Sequence, residues 1–169
     1  YFFDARESGG RIVFEHRGRA GVALSATAGD CVERKKGLPP IEVTRAQESE
    51  LPRTVKLGFI DAANDYMQGE AEARRSVGQS ARVATAQLPL VTGYGTARAI
   101  AETWLIETWA ARERASVTLP PSRLAIEPGD MIELADANRS WSLRVTEAGV
   151  GAAVEIEARS IEPGIYQAF

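Results

Sequence analysis

The sequence is poor in the residues that do most enzymatic work. It has one cysteine, Cys31, and one histidine, His16. A single Cys can form neither an internal disulfide nor a cysteine zinc cluster. A Ser-His-Asp triad, a two-histidine metal site or a Cys-His dyad would each have to be built on His16. No apolar run approaches the roughly 20 residues that span a bilayer, so no membrane insertion is expected. Nor is there a dominant charge: the net charge is −3 and the arginines are scattered, which gives no nucleic-acid footprint. The short basic run Arg34, Lys35 and Lys36 reads as a solvated loop. The chain opens on Tyr1-Phe2-Phe3 without an initiating Met, and reads as a piece of a longer protein.

Short alternating strands make up most of what is present. Tyr1-Phe2-Phe3-Asp4 and Arg11 to Glu15 flank Ser8-Gly9-Gly10, a β-hairpin pattern. His16 follows as a strand end. Val22 to Thr27 and Ile41 to Thr44 are further short strands. Val55, Leu57 and Phe59 alternate, so one face of that strand is buried. Residues 61–77 fit a helix and a strand equally, because Ala71, Ala73 and Val77 keep period two among helix formers. Arg82 to Leu88 is a strand stopped by Pro89. Past residue 112, Ser116 to Leu119, Met131 to Leu134, Trp141 to Val145 and Val154 to Ala158 read as an antiparallel meander in a small barrel. Pro128-Gly129 makes a type II turn, and Asp130 is placed to bond local amides.

One long helix stands out, over about residues 93–111. Thr92 is its candidate cap, and Ala97, Ile100, Ala101, Trp104, Leu105 and Thr108 form a stripe that packs on a sheet. Ile106 and Trp109 lie on its flank. They either meet a second layer of the same domain or form an interface with a neighbour. The expected fold class is α+β, mainly β. Three parts follow: strands over 1–50, an α/β part over 51–112, and a meander over 113–169.

No chemistry assembles on this frame. Gly93-Tyr94-Gly95 lacks the third Gly of a dinucleotide loop and the Gly-Lys-Ser/Thr of a phosphate loop. Asp61, Asn64 and Asp65 suggest a cation loop, but the sixth position holds Tyr66 instead of Gly. Cys31 reads as a half-buried small residue with no partner to activate it. Paired carboxylates remain the one catalytic device the composition allows, with Asp4, Asp61, Asp65, Asp130 and Glu133 as candidates. Each sits at a turn or strand end, where acids are ordinary. We therefore expect no enzyme, and no catalytic, metal or cofactor-binding residues. A sugar-binding module would use Tyr94, Trp109 or Trp141 for stacking, although Trp141 alternates as a core residue does.

An ordered set of motifs carries one resemblance. Glu50-Leu51-Pro52-Arg53-Thr54-Val55-Lys56-Leu57 runs into Phe59-Ile60-Asp61, Asn64-Asp65-Tyr66 and Ala73-Arg74. The helix, Val117-Thr118-Leu119-Pro120 and the Pro128-Gly129-Asp130 segment follow. This order resembles the tail hub and tail-tip (baseplate) proteins of gene transfer agents and siphophages, over most of residues 50–165. The resemblance implies a hub-like tail-barrel architecture and strands over 61–75. It implies a structural role in assembly and attachment of a virion tail, with synthesis in the bacterial cytoplasm. It further implies other tail and baseplate proteins as partners, a homo-trimer in the particle, and no functional residue motif to transfer. A carbohydrate-binding module that recognises a host surface glycan is the alternative.

Overall fold

The computed structural model describes residues 2–18, 21–33, 37 and 39–166. The expected basic run Arg34, Lys35 and Lys36 lies outside them. The chain divides into two compact units. One is residues 46–110; the other joins Phe2–Arg45 to residues 111–166.

The discontinuous unit begins with a hairpin, β1 (Phe3–Ser8) and β2 (Arg11–His16). Gly9 and Gly10 connect them at φ 57° and 76°, the left-handed pair a two-residue turn needs. β3 (Val22–Thr27) and β4 (Ile41–Arg45) follow. After the inserted unit come β8 (Glu113–Leu119), β9 (Met131–Ala135), β10 (Ser140–Val150) and β11 (Val154–Ser160). These form one six-stranded sheet in the order β3-β9-β10-β11-β8-β4, with β3 and β9 parallel. Its strands alternate as the sequence predicts. Ala26, Leu134 and Trp141 share one cross-strand row of the core face, while Ser25, Glu133 and Ser142 share a row of the outer face. Leu24, from the β3 edge, and Ile41, from the β4 edge, join one core cluster with Val117, Leu143 and Ile156. A sheet whose edges meet in one core must curl. It does not close: β3 and β4 remain edges, so the expected barrel is an open one.

Charge holds the β1–β2 hairpin to this unit. Asp4 accepts from Arg17 at 2.8 Å and pairs with Arg144. Arg6 reaches Asp130 at 2.8 Å and Glu127 at 3.3 Å. Asp130 also accepts from the Glu127 amide at 2.9 Å across the Pro128-Gly129 turn, where Gly129 has φ 99°. The opposite face of the hairpin carries Phe3, Ile12 and Phe14, all exposed.

The inserted unit contains β5 (Pro52–Asp61), β6 (Met67–Arg74), β7 (Arg82–Thr92) and α1 (Tyr94–Ala110). Residues 67–74 are therefore strand. The sheet order is β6-β5-β7, antiparallel on one side of β5 and parallel on the other. Val55, Leu57, Phe59, Ala71 and Ala73 bury one face beneath Ala97, Ala101, Leu105 and Trp109 of α1. Within the sheet, Gly69 leaves room for its cross-strand neighbour: a Cβ there would lie 2.8 Å from Cζ of Phe59. Thr92 does not cap the helix. It ends β7, paired with Asp61, and the Gly93 carbonyl accepts the bond from Ala97.

Candidate interaction surface

The acidic candidates are spent on structure. Asp4 and Asp130 tie down the hairpin, as described above. Glu133 accepts from the Ser25 hydroxyl at 3.4 Å. Asp61 accepts from the Ala63 amide at 3.0 Å within the β5–β6 turn, and Asp65 lies in that same turn. His16 Nδ1 accepts from the Gly18 amide at 3.2 Å, with the Tyr166 ring edge-on to the imidazole. Burial pushes the Cys31 thiol pKa up, the opposite of what an activated thiol requires. Among the described residues no group of three or more His, Cys, Asp and Glu could hold a metal ion. A groove of about 340 Å³ lies where β3, β9 and β10 run side by side, with Thr27, Asp30, Glu133, Ser140 and Ser142 among its lining.

Two of the three aromatic platforms are buried. Trp141 is a core residue of the six-stranded sheet. Trp109 donates from Nε1 to the Pro52 carbonyl at 2.8 Å, and the Arg75 guanidinium lies 4.1 Å from its ring centroid. The sequence left Trp109 between a second layer and a neighbour; the structure places it in its own unit. The reason is rotational. Residues 97, 101, 105 and 109 step by four, and each step turns about 40° around the helix. That drift brings position 109 against the start of β5. Ile106 stays outside, 49% exposed.

The two ends of the inserted unit differ in character. At one end Asp61 pairs with Met67 on one side and Thr92 on the other, while Val91 pairs with Ile60 on the opposite face of the sheet. Tyr94 joins through the Phe59 ring, 6.4 Å between centroids. Tyr66 stands at the turn, 68% exposed, and Met67, Val91 and Tyr94 are each more than half exposed. Asp61 and Asp65 flank them. The turn itself is strained. The Met67 amide bonds the Asn64 carbonyl at 2.9 Å, and Asp65 and Tyr66 between them have φ 48° and 59°. Residues 64–67 thus form a mirror-image β-turn that ends the connection from Asp61 to Met67, and its second central position ordinarily takes Gly. A Tyr there costs about 1–2 kcal/mol.

The opposite end is basic. Thr54↔Arg74 and Pro52↔Arg82 place two arginines there, and the Arg75 amide bonds the Arg53 carbonyl at 2.9 Å. Their side chains rest on carbonyls: Arg53 on Arg75 at 3.4 Å, Arg75 on Val77 at 3.1 Å, and Arg82 on Glu50 at 3.3 Å. Among the described residues none of Arg53, Arg74, Arg75 and Arg82 is ion-paired to a carboxylate. Val77 and Val83 are exposed between them, 74% and 54%. Glu48 and Glu50, just before β5, offset part of this charge. Sequence reasoning passed over Tyr66 because a turn of this type usually announces itself with Gly, which is missing here.

The fold is an open, curled β-sheet with an α/β unit inserted in the chain between two of its strands. The profile of a family described as "Putative phage tail protein" matches residues 1–148; the chain belongs to that family. The match takes in the β1–β2 hairpin, which the motif resemblance did not reach. No curated protein sequence matches the chain. Among solved structures, a chain of the virion of a native gene transfer agent particle is similar over 97% of this chain, with 31% identity and a TM-score of 0.88. A tail protein from Neisseria meningitidis MC58 aligns over 97% with 10% identity and a TM-score of 0.60. A 43 kDa tail protein of prophage MuSo2 from Shewanella oneidensis aligns over 92% with 14% identity and a TM-score of 0.57; these two likenesses are of fold alone. The aligned part is 37%, 52% and 48% of those three chains. The protein is thus a phage-type tail component with a structural role, and among its described residues no helix is long and apolar enough to cross a membrane.

Proposed function

We propose that this chain is part of a tail-tip or baseplate hub of a phage-like particle, contributing to assembly and attachment of the tail. The observation that supports it is the TM-score of 0.88 over 97% of the chain against a protein of an assembled gene transfer agent virion. A structural part is what the residues suit: acids such as Asp4 and Asp130 are held in turns and ion pairs, and large apolar side chains such as Phe14, Tyr66 and Ile106 stand exposed. Its partners in this reading are other tail and baseplate proteins, with a homo-trimer in the particle. The test is location. A gold-labelled antibody against this chain should mark one end of the tail in purified particles; label along the shaft or on the head would overturn the hub assignment.

A further inference from the structure

An edge strand presents unpaired amides and carbonyls, and proteins guard such edges with charge or proline. Among the described residues every edge is guarded except one. β4 carries Glu42 and Arg45, β6 carries Glu70 and Glu72, and β7 carries Arg82 and Pro89. Both strands of the β1–β2 hairpin are charged as well. β3 reads Val22-Ala23-Leu24-Ser25-Ala26-Thr27, with neither charge nor proline. A register shift between Val22 and Leu24 disturbs its start, which leaves Leu24 to Thr27 as the regular length. Backbone direction narrows this further. The Thr27 amide donates to the Asp30 carboxylate at 2.8 Å, and the Thr27 carbonyl accepts from the Cys31 thiol at 3.4 Å. The polar groups of Thr27 therefore point away from β9. Successive residues of a strand point these groups to opposite edges, so Ser25 points the same way as Thr27. No backbone bond from outside the sheet reaches Leu24, Ser25 or Ala26 among the described residues. The chain caps the end of its own edge and leaves the Ser25 amide and carbonyl open.

The side chains decide which strand fits there. On the core side an added strand meets apolar Leu24 and Ala26. On the other side it meets Ser25 and Thr27, with Glu133 opposite Ser25 on β9 and Asp30 past the strand end. Both carboxylates line the groove of about 340 Å³; Arg123 offsets part of the charge at Asp30. Two strand spacings are about 9–10 Å, within reach of a lysine or arginine side chain. We propose that β3 takes an added strand from another tail protein, an extended segment that alternates apolar and basic residues. Main-chain bonds at Ser25 supply affinity, and the acids of the groove select the sequence. A second copy of this chain fits less well, because its β4 and β6 edges carry acids. The proposal rests on reading the chain as a tail component, and it adds a surface and a partner chemistry to that reading.

A fluorescein-labelled eight-residue peptide alternating lysine and valine, titrated against the whole chain and read by anisotropy, tests this. Hydrogen exchange maps where the peptide sits. It binds, slows amide exchange at Ser25, and loses affinity as salt rises. A glutamate–valine peptide binds at least about tenfold more weakly. So does a lysine–valine peptide N-methylated throughout, which has no backbone donor for the ladder. Ser25→Lys places a guarding charge on the edge and weakens the lysine–valine peptide by about tenfold or more, with the melting temperature unchanged. Glu133→Lys narrows the difference between the lysine and glutamate peptides. Should either variant fail to fold, the three peptides on the unaltered chain still decide. No binding at millimolar peptide overturns the proposal, as does equal binding of the three peptides or protection at β4, β6 or β7 in place of β3. Protection of Ser25 that rises with chain concentration, without peptide, means a second copy fills the edge and also overturns it. None of these outcomes touches the hub reading, which is judged by the position of the gold label.

Discussion

Gly69 and Phe59 pair across β5 and β6, and the aromatic ring occupies the space where a side chain at 69 would stand. A Cβ there would lie 2.8 to 3.2 Å from three ring carbons. The ring is 2% exposed and has little room to shift. Gly69→Ala is therefore expected to cost about 1–3 kcal/mol, read as a lowered urea midpoint; an unchanged midpoint would show that the ring moves freely. Asp30 offers a residue-level test by pH. Its carboxylate accepts from the Thr27 amide at 2.8 Å and the Thr27 hydroxyl at 2.7 Å. The amide bond first, then the hydroxyl, holds its pKa below 3.8. A depressed folded-state value means the turn is stabilised above the ordinary aspartate range, and that support is lost as pH falls through the folded value. Thr27→Val should move the Asp30 midpoint upward in an NMR titration. These details were not readable in advance. The alternation of Val55, Leu57 and Phe59 shows a buried face, but not that Gly69 lies under Phe59, because register is a tertiary property.

At the scale of elements, α1 was the most legible and its orientation the least. The expected span of about 93–111 becomes Tyr94–Ala110, since seventeen residues of helical spacing leave few alternatives. Its sheet-facing stripe was read from Ala97, Ile100, Ala101, Trp104, Leu105 and Thr108, and all are buried or half-buried. Trp109 could be assigned to neither layer nor neighbour, because its partner, the Pro52 carbonyl, is distant in sequence. Replacing the two flank residues separates the roles. Trp109→Ala should lose about 3–5 kcal/mol, through the cavity, the unpaired carbonyl and the loss of the ring beneath Arg75. Ile106→Ser should change stability by less than about 0.5 kcal/mol. Equal losses in thermal unfolding would contradict this orientation of the helix. The β6 segment was ambiguous because alternating Ala and Glu suit both periods. Pairing with β5 over eight registers decides it in favour of strand. The barrel was readable as strands but not as an open sheet: local alternation says which face is buried and is silent on whether two edges meet.

For the whole molecule, the consequence lies in time. β4 and β8 are neighbours in the finished sheet, with Ile41 opposite Val117, yet the entire inserted unit is synthesised between them. Loop closure over such a separation is slow compared with forming the contiguous β5–α1 unit. On the ribosome, residues 46–110 are all present while the partners of β3 and β4 are still untranslated. At about 5–20 residues per second, the stretch from Ala110 to the end of β11 at Ser160 takes roughly 3–10 s to add. Nascent chains stalled once residue 110 has cleared the exit tunnel should therefore show a protease-resistant inserted unit beside cleavable β3 and β4 segments. Resistance appearing in both at once would mean that the units fold together. The insertion makes the order of synthesis an order of folding, in which the first-made strands wait exposed for the last, and a chaperone that shields Leu24 and Ile41 during those seconds should raise the yield of folded chain.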